Sequence, residues 1–181
     1  FASALYVLSG RNTYEFLRIN LPGALPACST LEIYNDELCK SIEEGEFRFT
    51  ELKQHLDHGD SKYIFCSEDC TGAVSRIQYN VDTNSFIGFC PKLTNGVPEK
   101  RQFTFDRFEQ LEHAFQTIQK STLVNVHMAQ PISAVPLSTF LLSTFGTENS
   151  FDSLSIIRRW IFIHEQCLAH GIRIVGFASD A

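Results

Sequence analysis

The spacing of hydrophobic positions changes near residue 60, and the change divides the chain into two parts. Up to about Gly59, apolar residues recur every three or four positions between turn-forming residues, which is the pattern of short amphipathic helices. From Lys62 onward, short β-branched and aromatic runs alternate with turns and with two longer helical stretches, as in an α/β domain. The pattern therefore predicts a helical segment over residues 1–60 and a sheet-containing domain over residues 61–181.

The helical segment contains clear interruptions. Ser9–Asn12 predicts a break in the first helix, and Pro22 and Pro26 mark a connector. Helices are predicted over Thr30–Lys40 and, after a further loop, over about Phe49–Leu56. Two short helices across a tight Pro-Gly turn are compatible with a helix-turn-helix, and a plain helical lead-in fits the same pattern equally well.

In the second part we predict strands that alternate with loops and two helices. The strands are 62–66, a hairpin formed by 73–81 and 86–89, then 123–129, 137–142 and 171–179, the last with both faces covered. A loop is expected over 91–102, followed by a helix to about Lys120, and the longest helix over 151–170. An apolar stripe on this helix consists of Leu154, Ile157, Ile161 and Leu168, widened by Ile156, Trp160, Ile163 and Cys167.

Two of the predicted strands run into acidic residues. Strand 62–66 continues into Ser67-Glu68-Asp69, and the last strand continues into Ser179-Asp180. If these strands are neighbours, Asp69 and Asp180 project from the same edge and could hold a divalent metal ion. Glu68 is a further candidate ligand, although alternation places only one of Glu68 and Asp69 on the site side. An Asp after a strand is more often a turn residue or a helix cap, so the spacing alone leaves both interpretations open.

Composition narrows the classes of function. The net charge of −6 counts against an extensive nucleic-acid surface on these residues, and six cysteines without a C-x-x-C pair favour reduced thiols in an intracellular protein. No apolar run is long enough for a transmembrane helix. The glycine-rich phosphate-binding motifs and the serine nucleophile motif do not occur. Because the sequence begins without Met or a basic leader, we expect a piece of a longer protein and no signal peptide.

Several short motifs resemble one protein family. They are Ser67–Thr71, Tyr79-Asn80, Gly88-Phe89, Met128–Pro131, Phe145–Asn149, Arg159-Trp160 and Gly171–Ala181. With the order of elements, they resemble DDE-type transposases of ribonuclease H-like fold, similar to the P-element and THAP-domain-containing transposases. Tyr14–Arg18, with Leu25-Pro26 and Ser29–Leu31, resembles the DNA-contacting helical segment that precedes the catalytic domain there. The resemblance covers nearly the whole chain, and residues 91–120 look like an insertion.

The resemblance implies the first half of a ribonuclease H-like domain, a mixed sheet with a crossover helix, after a small helical, possible helix-turn-helix, segment. It implies that Asp69 and Asp180 are catalytic metal ligands for Mg²⁺ (or Mn²⁺), and that Glu68 could exchange roles with Asp69 because the family more often has Asp-Glu. The longer protein would be nuclear and would cleave and transfer double-stranded DNA at transposon ends. The family's third acid, on a later helix, does not occur within these residues, so they are not expected to catalyse the reaction alone.

Two alternatives of other classes stay open at this point. One is a domesticated module that keeps the fold and binds DNA or protein without catalysis. The other is an unrelated α/β nuclease or small-molecule enzyme that merely shares the two acids. No membrane association is expected, the oligomeric state is left open, and an oligomer is compatible with the sequence.

Overall fold

The computed structural model describes residues 1–38, 42–81, 84–100, 103–150 and 152–179, and the chain forms two compact units that divide between Ile42 and Glu43. The first unit contains α1 (Ala2–Asn20) and α2 (Cys28–Leu38). The predicted break in the first helix is confirmed at Gly10, where φ is 75° and the helix is kinked. Tyr14 is fully buried in this small core, and its hydroxyl donates to the Pro26 carbonyl at 2.9 Å.

The second unit contains the remaining helices and strands. In chain order they are α3 (Phe49–Asp57), β1 (Tyr63–Gly72), β2 (Gln78–Asn80), β3 (Ser85–Ile87), β4 (Leu93–Thr94), β5 (Val97–Pro98), α4 (Phe108–Thr117), β6 (Leu123–Ile132), β7 (Phe140–Thr147), α5 (Ser153–Ala169) and β8 (Arg173–Ser179). Helix α3 belongs to this unit, since Leu52 and Leu56 are buried in the same core as Ile64 of β1. The structural division therefore lies before α3, whereas the sequence pattern placed it after α3.

Four strands form the main sheet in the order β7-β6-β1-β8. Strand β6 is antiparallel to both β1 and β7, whereas β8 is parallel to β1. Helix α5 connects β7 to β8. These two strands run in the same direction, and parallel strands of one sheet need a crossover connection, which is usually a helix. This mixed sheet with its connecting helix confirms the predicted α/β class and is compatible with a partial ribonuclease H-like fold.

One face of the main sheet carries the core and the other is open among the described residues. Ile64, Cys66, Ala129 and Leu142 pack against α3 and α5. Alternate residues of β1 are exposed instead, including Tyr63 and Phe65. The expectation that the last strand is covered on both faces is wrong, because Val175 is 56% exposed and β8 alternates like a half-buried strand.

The segment predicted as a loop and insertion contains local structure of its own. Strands β4 and β5 form a hairpin, with Asn95 and Gly96 at positive φ of 53° and 78°. Such φ values are typical of the tight two-residue turns that Asn-Gly favours. Helix α4 contributes Ala114 to a separate aromatic cluster with Phe89 and Phe103.

Helix α5 lies within the predicted range 151–170, although it begins at Ser153 and ends at Ala169, and its buried face differs from the predicted stripe. The Asp152 carboxylate accepts a hydrogen bond from the Ser155 backbone N–H at 2.8 Å, and Gly171 follows the helix with φ of 73°, an ordinary C-terminal cap. The residues of α5 that are buried are Arg159, Ile163 and Cys167. The residues of the predicted stripe (Leu154, Ile157, Ile161 and Leu168) are all exposed.

Candidate functional site

Asp69 lies inside strand β1, not after its end as the sequence pattern suggested. The strand was expected to stop at Cys66, but it continues to Gly72 because β6 pairs with it as far as Gly72 opposite Leu123. On its other side, β1 pairs with β8 up to Glu68 opposite Ser179. Asp69 is therefore the first residue of β1 beyond the described pairing with β8. Asp180 follows Ser179 directly in sequence and lies outside the described residues.

Glu68 and Asp69 lie on opposite faces of the sheet. Asp69 is exposed and shares the open face with Ser67, whereas Glu68 is 5% exposed and faces the side packed by α5. This is the ordinary alternation of a pleated strand. The two neighbouring carboxylates therefore do not share a site.

The Glu68 carboxylate is held by side chains from two other elements. Its Oε1 atom accepts a hydrogen bond from Asn125 Nδ2 at 2.7 Å and forms an ion pair with Arg159 Nη2. Its Oε2 atom accepts a hydrogen bond from Trp160 Nε1 at 2.9 Å, and His127 Nε2 lies 3.5 Å from the same atom. Both carboxylate oxygens thus have protein donors, which is the condition for a stable buried charge.

The electrostatics of this network favour a charged Glu68 and a neutral His127. Burial by itself raises the pKa of Glu68, but His127, Asn125 and Arg159 stabilise the carboxylate and lower that pKa to about 2. The pKa of His127 is lowered, because burial disfavours the imidazolium and Arg159 repels it. At neutral pH, Arg159 therefore supplies the positive charge that faces Glu68.

Arg159 extends the network to the β4–β5 hairpin. The side chain is fully buried, its Nη1 atom donates to the Gly96 carbonyl at 2.6 Å, and its guanidinium lies 5.5 Å from the centre of the Phe145 ring. The neighbouring Trp160 stacks on Phe177 of β8 with the ring centres 5.0 Å apart. The network therefore ties β1, β6, β8, α5 and the hairpin together directly behind the strand that carries Asp69.

Sequence reasoning singled out Arg159-Trp160 as a motif but did not find its role. The signal was present in the spacing, because Arg159, Ile163 and Cys167 recur every four positions and so share one face of α5. A charged residue in a buried series indicates a buried partner of opposite charge. The partner, Glu68, is 91 positions away along the chain, so its identity required the tertiary structure.

Two further observations bear on binding. Within the described residues, no group of three or more His, Cys, Asp or Glu side chains is placed to hold a metal ion. In the same ranges, every helix is too short or too polar to cross a lipid bilayer.

Comparison with known proteins gives a likeness at the level of the fold. No protein-family model matches the chain, and no curated protein matches it. Among solved structures, the chain is similar to the Drosophila P element transposase strand transfer complex, with a TM-score of 0.53 and 13% identity over 99% of this chain. The chain spans 31% of the length of that transposase chain. At this level of identity, the likeness shows a shared fold.

Proposed function

We propose that these residues are the opening part of the ribonuclease H-like catalytic domain of a DDE-type transposase, and that the longer protein cleaves and transfers double-stranded DNA with Mg²⁺ or Mn²⁺. The observation that carries the proposal is the parallel pairing of β1 and β8. Its last described pair, Glu68 with Ser179, immediately precedes Asp69 and Asp180 in the two strands. The proposal also implies a nuclear location.

The register explains why these two aspartates suit a shared metal site. Asp69 lies on the open face of the sheet and directly follows Glu68 of the last described pair, and Asp180 directly follows Ser179, its partner in that pair, in the sequence. Neighbouring strands lie about 4.8 Å apart, a separation at which two carboxylates can contact the same ion or the same pair of ions. Mg²⁺ is commonly bound in proteins by only one or two carboxylates, so Asp69 and Asp180 fit this part of the task.

Each residue has a defined role in the proposed reaction. Asp69 and Asp180 would hold the metal ions, and such ions would stabilise the attacking and leaving oxygens of a phosphodiester. Glu68 is assigned no ligand role, because its two oxygens are already bonded to Asn125, Arg159 and Trp160. The Glu68 network instead fixes β1 against α5 and so positions Asp69. A third acid would come from outside these residues.

A different observation favours a second candidate, a domesticated module that binds DNA or protein without catalysis. Glu68 is turned away from the open face, so the Glu68-Asp69 pair contributes a single carboxylate, Asp69, to that face. Within this alternative, the net charge of −6 opposes phosphate binding and so favours a protein partner over DNA. In this alternative, the fold is kept for its surfaces and Asp69 is an ordinary exposed strand residue.

The deciding experiment measures DNA strand cleavage and strand transfer by the longer protein in Mg²⁺ with Asp69→Asn and Asp180→Asn. Transposase function predicts that each variant loses activity by about a thousandfold or more, while DNA binding is retained. Asp106→Asn is the matched control, since Asp106 is exposed and lies before α4 on another part of the unit. DNA binding by the longer protein without cleavage would establish the non-catalytic alternative, whereas cleavage that survives both substitutions would contradict the assignment of Asp69 and Asp180 as catalytic metal ligands.

A direct measurement on the present chain complements that assay. Mn²⁺ titration followed by NMR should broaden the amide signals of Ser67, Asp69 and Ser179 before those of other exposed segments, because the paramagnetic effect falls steeply with distance. Asp69→Asn should remove this selectivity. Broadening spread evenly over the acidic surface would count against a metal site at this edge.

A further inference from the structure

Helix α5 exposes an apolar stripe that its own unit does not use. Leu154, Ile157 and Ile161 are 50%, 50% and 52% exposed, and Leu168 is 39% exposed. The exposed His164 lies between Ile161 and Leu168 and completes the stripe. The five stripe positions are then separated by three, four, three and four residues. This is the spacing of the contact positions in paired helices.

The stripe is separate from the face that packs the core. Ile163 and Cys167 pack a different side of α5 against the sheet. Single exposed hydrophobic residues are normal on a protein surface, but a continuous series along four turns marks a contact surface. Helix α5 thus has two apolar faces, of which one is unpartnered among the described residues.

We propose that this stripe binds the same stripe of a second copy of the chain, with the two α5 helices antiparallel about a two-fold axis. The charges beside the stripe carry the choice of partner. Arg158 and Glu165 are exposed and lie one position after Ile157 and His164, on the same flank of the stripe. Among the described residues, neither forms a salt bridge within its own chain.

An antiparallel pair brings opposite charges together twice. When stripe positions of antiparallel helices face one another, this flank meets the same flank of the other helix. Arg158 of each copy then faces Glu165 of the other. In a parallel pair the flank would meet the opposite one, where the residues are Ser153, Trp160 and Cys167. None of those three is charged, so the charge pattern selects the antiparallel, self-complementary arrangement.

The apolar positions match in the same register. Ile157 of each copy lies against Leu168 of the other, and Ile161 lies against His164, which is the one polar position of the seam. A recess of about 440 Å³ beside Ile161, lined also by Val97 and Phe162, can receive a side chain of the other copy. The helix has 17 residues and is about 25 Å long, so the contact covers two heptads. For so short a contact we expect weak association, with a dissociation constant of roughly 10–100 µM.

Sedimentation equilibrium of the 181-residue chain, from about 1 to about 500 µM, tests the proposal. We expect a reversible dimer. Arg158→Glu and Glu165→Arg should each weaken it by about tenfold, since each places like charges opposite one another twice. An equimolar mixture of these two variants should dimerise as well as the unmodified chain, because every introduced charge then meets an opposite charge. Arg76→Glu, at an exposed position outside α5, is the matched control and should leave the dimer unchanged.

The mixture separates a specific interface from damage to the fold, since a misfolded variant is not rescued by a second variant. Ile161→Asp should abolish the dimer, and thermal unfolding followed by circular dichroism checks that each variant is folded. A chain that stays monomeric over the whole range overturns the proposal and assigns the stripe to a different partner, such as another segment of a longer protein. A dimer that survives Ile161→Asp, or that mixing does not restore, overturns it as well.

Discussion

Replacing Arg159 by Met should destabilise the sheet unit by about 3–5 kcal/mol, the usual cost of leaving a buried charge without its partner. Met retains most of the apolar length of the Arg side chain, so the loss is mainly electrostatic. The variant keeps Glu68 buried and keeps its bonds from Asn125 and Trp160. It removes the guanidinium that faces Glu68 and the donor to the Gly96 carbonyl.

The same substitution should change how stability depends on pH. In the unmodified chain, the pKa of Glu68 is lowered to about 2, so the native carboxylate stays charged. Without Arg159, the Glu68 and His127 pair takes up a proton in the native state more readily than in the unfolded state. The free energy of unfolding of Arg159→Met therefore rises relative to that of the unmodified chain as the pH falls from about 7 to about 5. The deficit of the variant should be largest at neutral pH and smaller in mild acid.

Urea unfolding followed by tryptophan fluorescence measures both effects, because Trp160 is the one Trp of the chain and lies within the network. Glu68→Gln combined with Arg159→Met should be less destabilised than Arg159→Met alone, since the unpaired charge is gone. Arg76→Met, at an exposed position, should change stability by about 0.5 kcal/mol or less. If Arg159→Met costs no more than Arg76→Met, or if its deficit is the same at both pH values, the ion pair does not stabilise the unit in the way described.

Three further predictions concern other parts of the same unit. Gly96→Ala should destabilise by several kcal/mol in urea unfolding, because φ is positive and the added Cβ would lie 2.0 Å from the Ser155 carbonyl oxygen; a smaller effect would mean that the hairpin moves freely. Asp152→Ala should cost about 1 kcal/mol through loss of the N-terminal cap of α5, with Asp152→Asn retaining most of the stability. Acid titration of the unmodified chain should show stability falling in two steps. The first lies below about pH 6.5, because His127 binds a proton in the unfolded chain but its pKa is lowered in the native chain. The second lies between pH 4.5 and about 2. The second step reflects Glu68 and is worth about 3 kcal/mol; Glu68→Gln should remove it.

Sequence reasoning recovered the features that depend on neighbours along the chain. The helix break at Gly10 and the helix end at Gly171 follow from the conformational preferences of those residues. The hydrophobic runs also located the four strands of the main sheet, although not their full lengths. The α/β class could be predicted because alternating apolar patterns are local properties of the chain.

The tertiary structure decided the features that depend on distant partners. Strand β1 extends to Gly72 because β6 continues to pair with it, and no local signal in β1 indicates where that pairing ends. For Glu68, alternation allowed either face, and the choice was made by Asn125 and Trp160, which lie 57 and 92 positions away.

Helix α5 shows the same division most clearly. Its apolar residues lie on two faces, and the sequence alone favoured Leu154 and Ile161 for the principal stripe. The sheet instead buries the face with Arg159, where Glu68 neutralises the charge and the hairpin carbonyl of Gly96 accepts a hydrogen bond from Nη1. Local preference determined that residues 153–169 form a helix, and contacts with distant residues, including the Glu68 ion pair and the core around Ile163 and Cys167, determined which side of the helix faces the core.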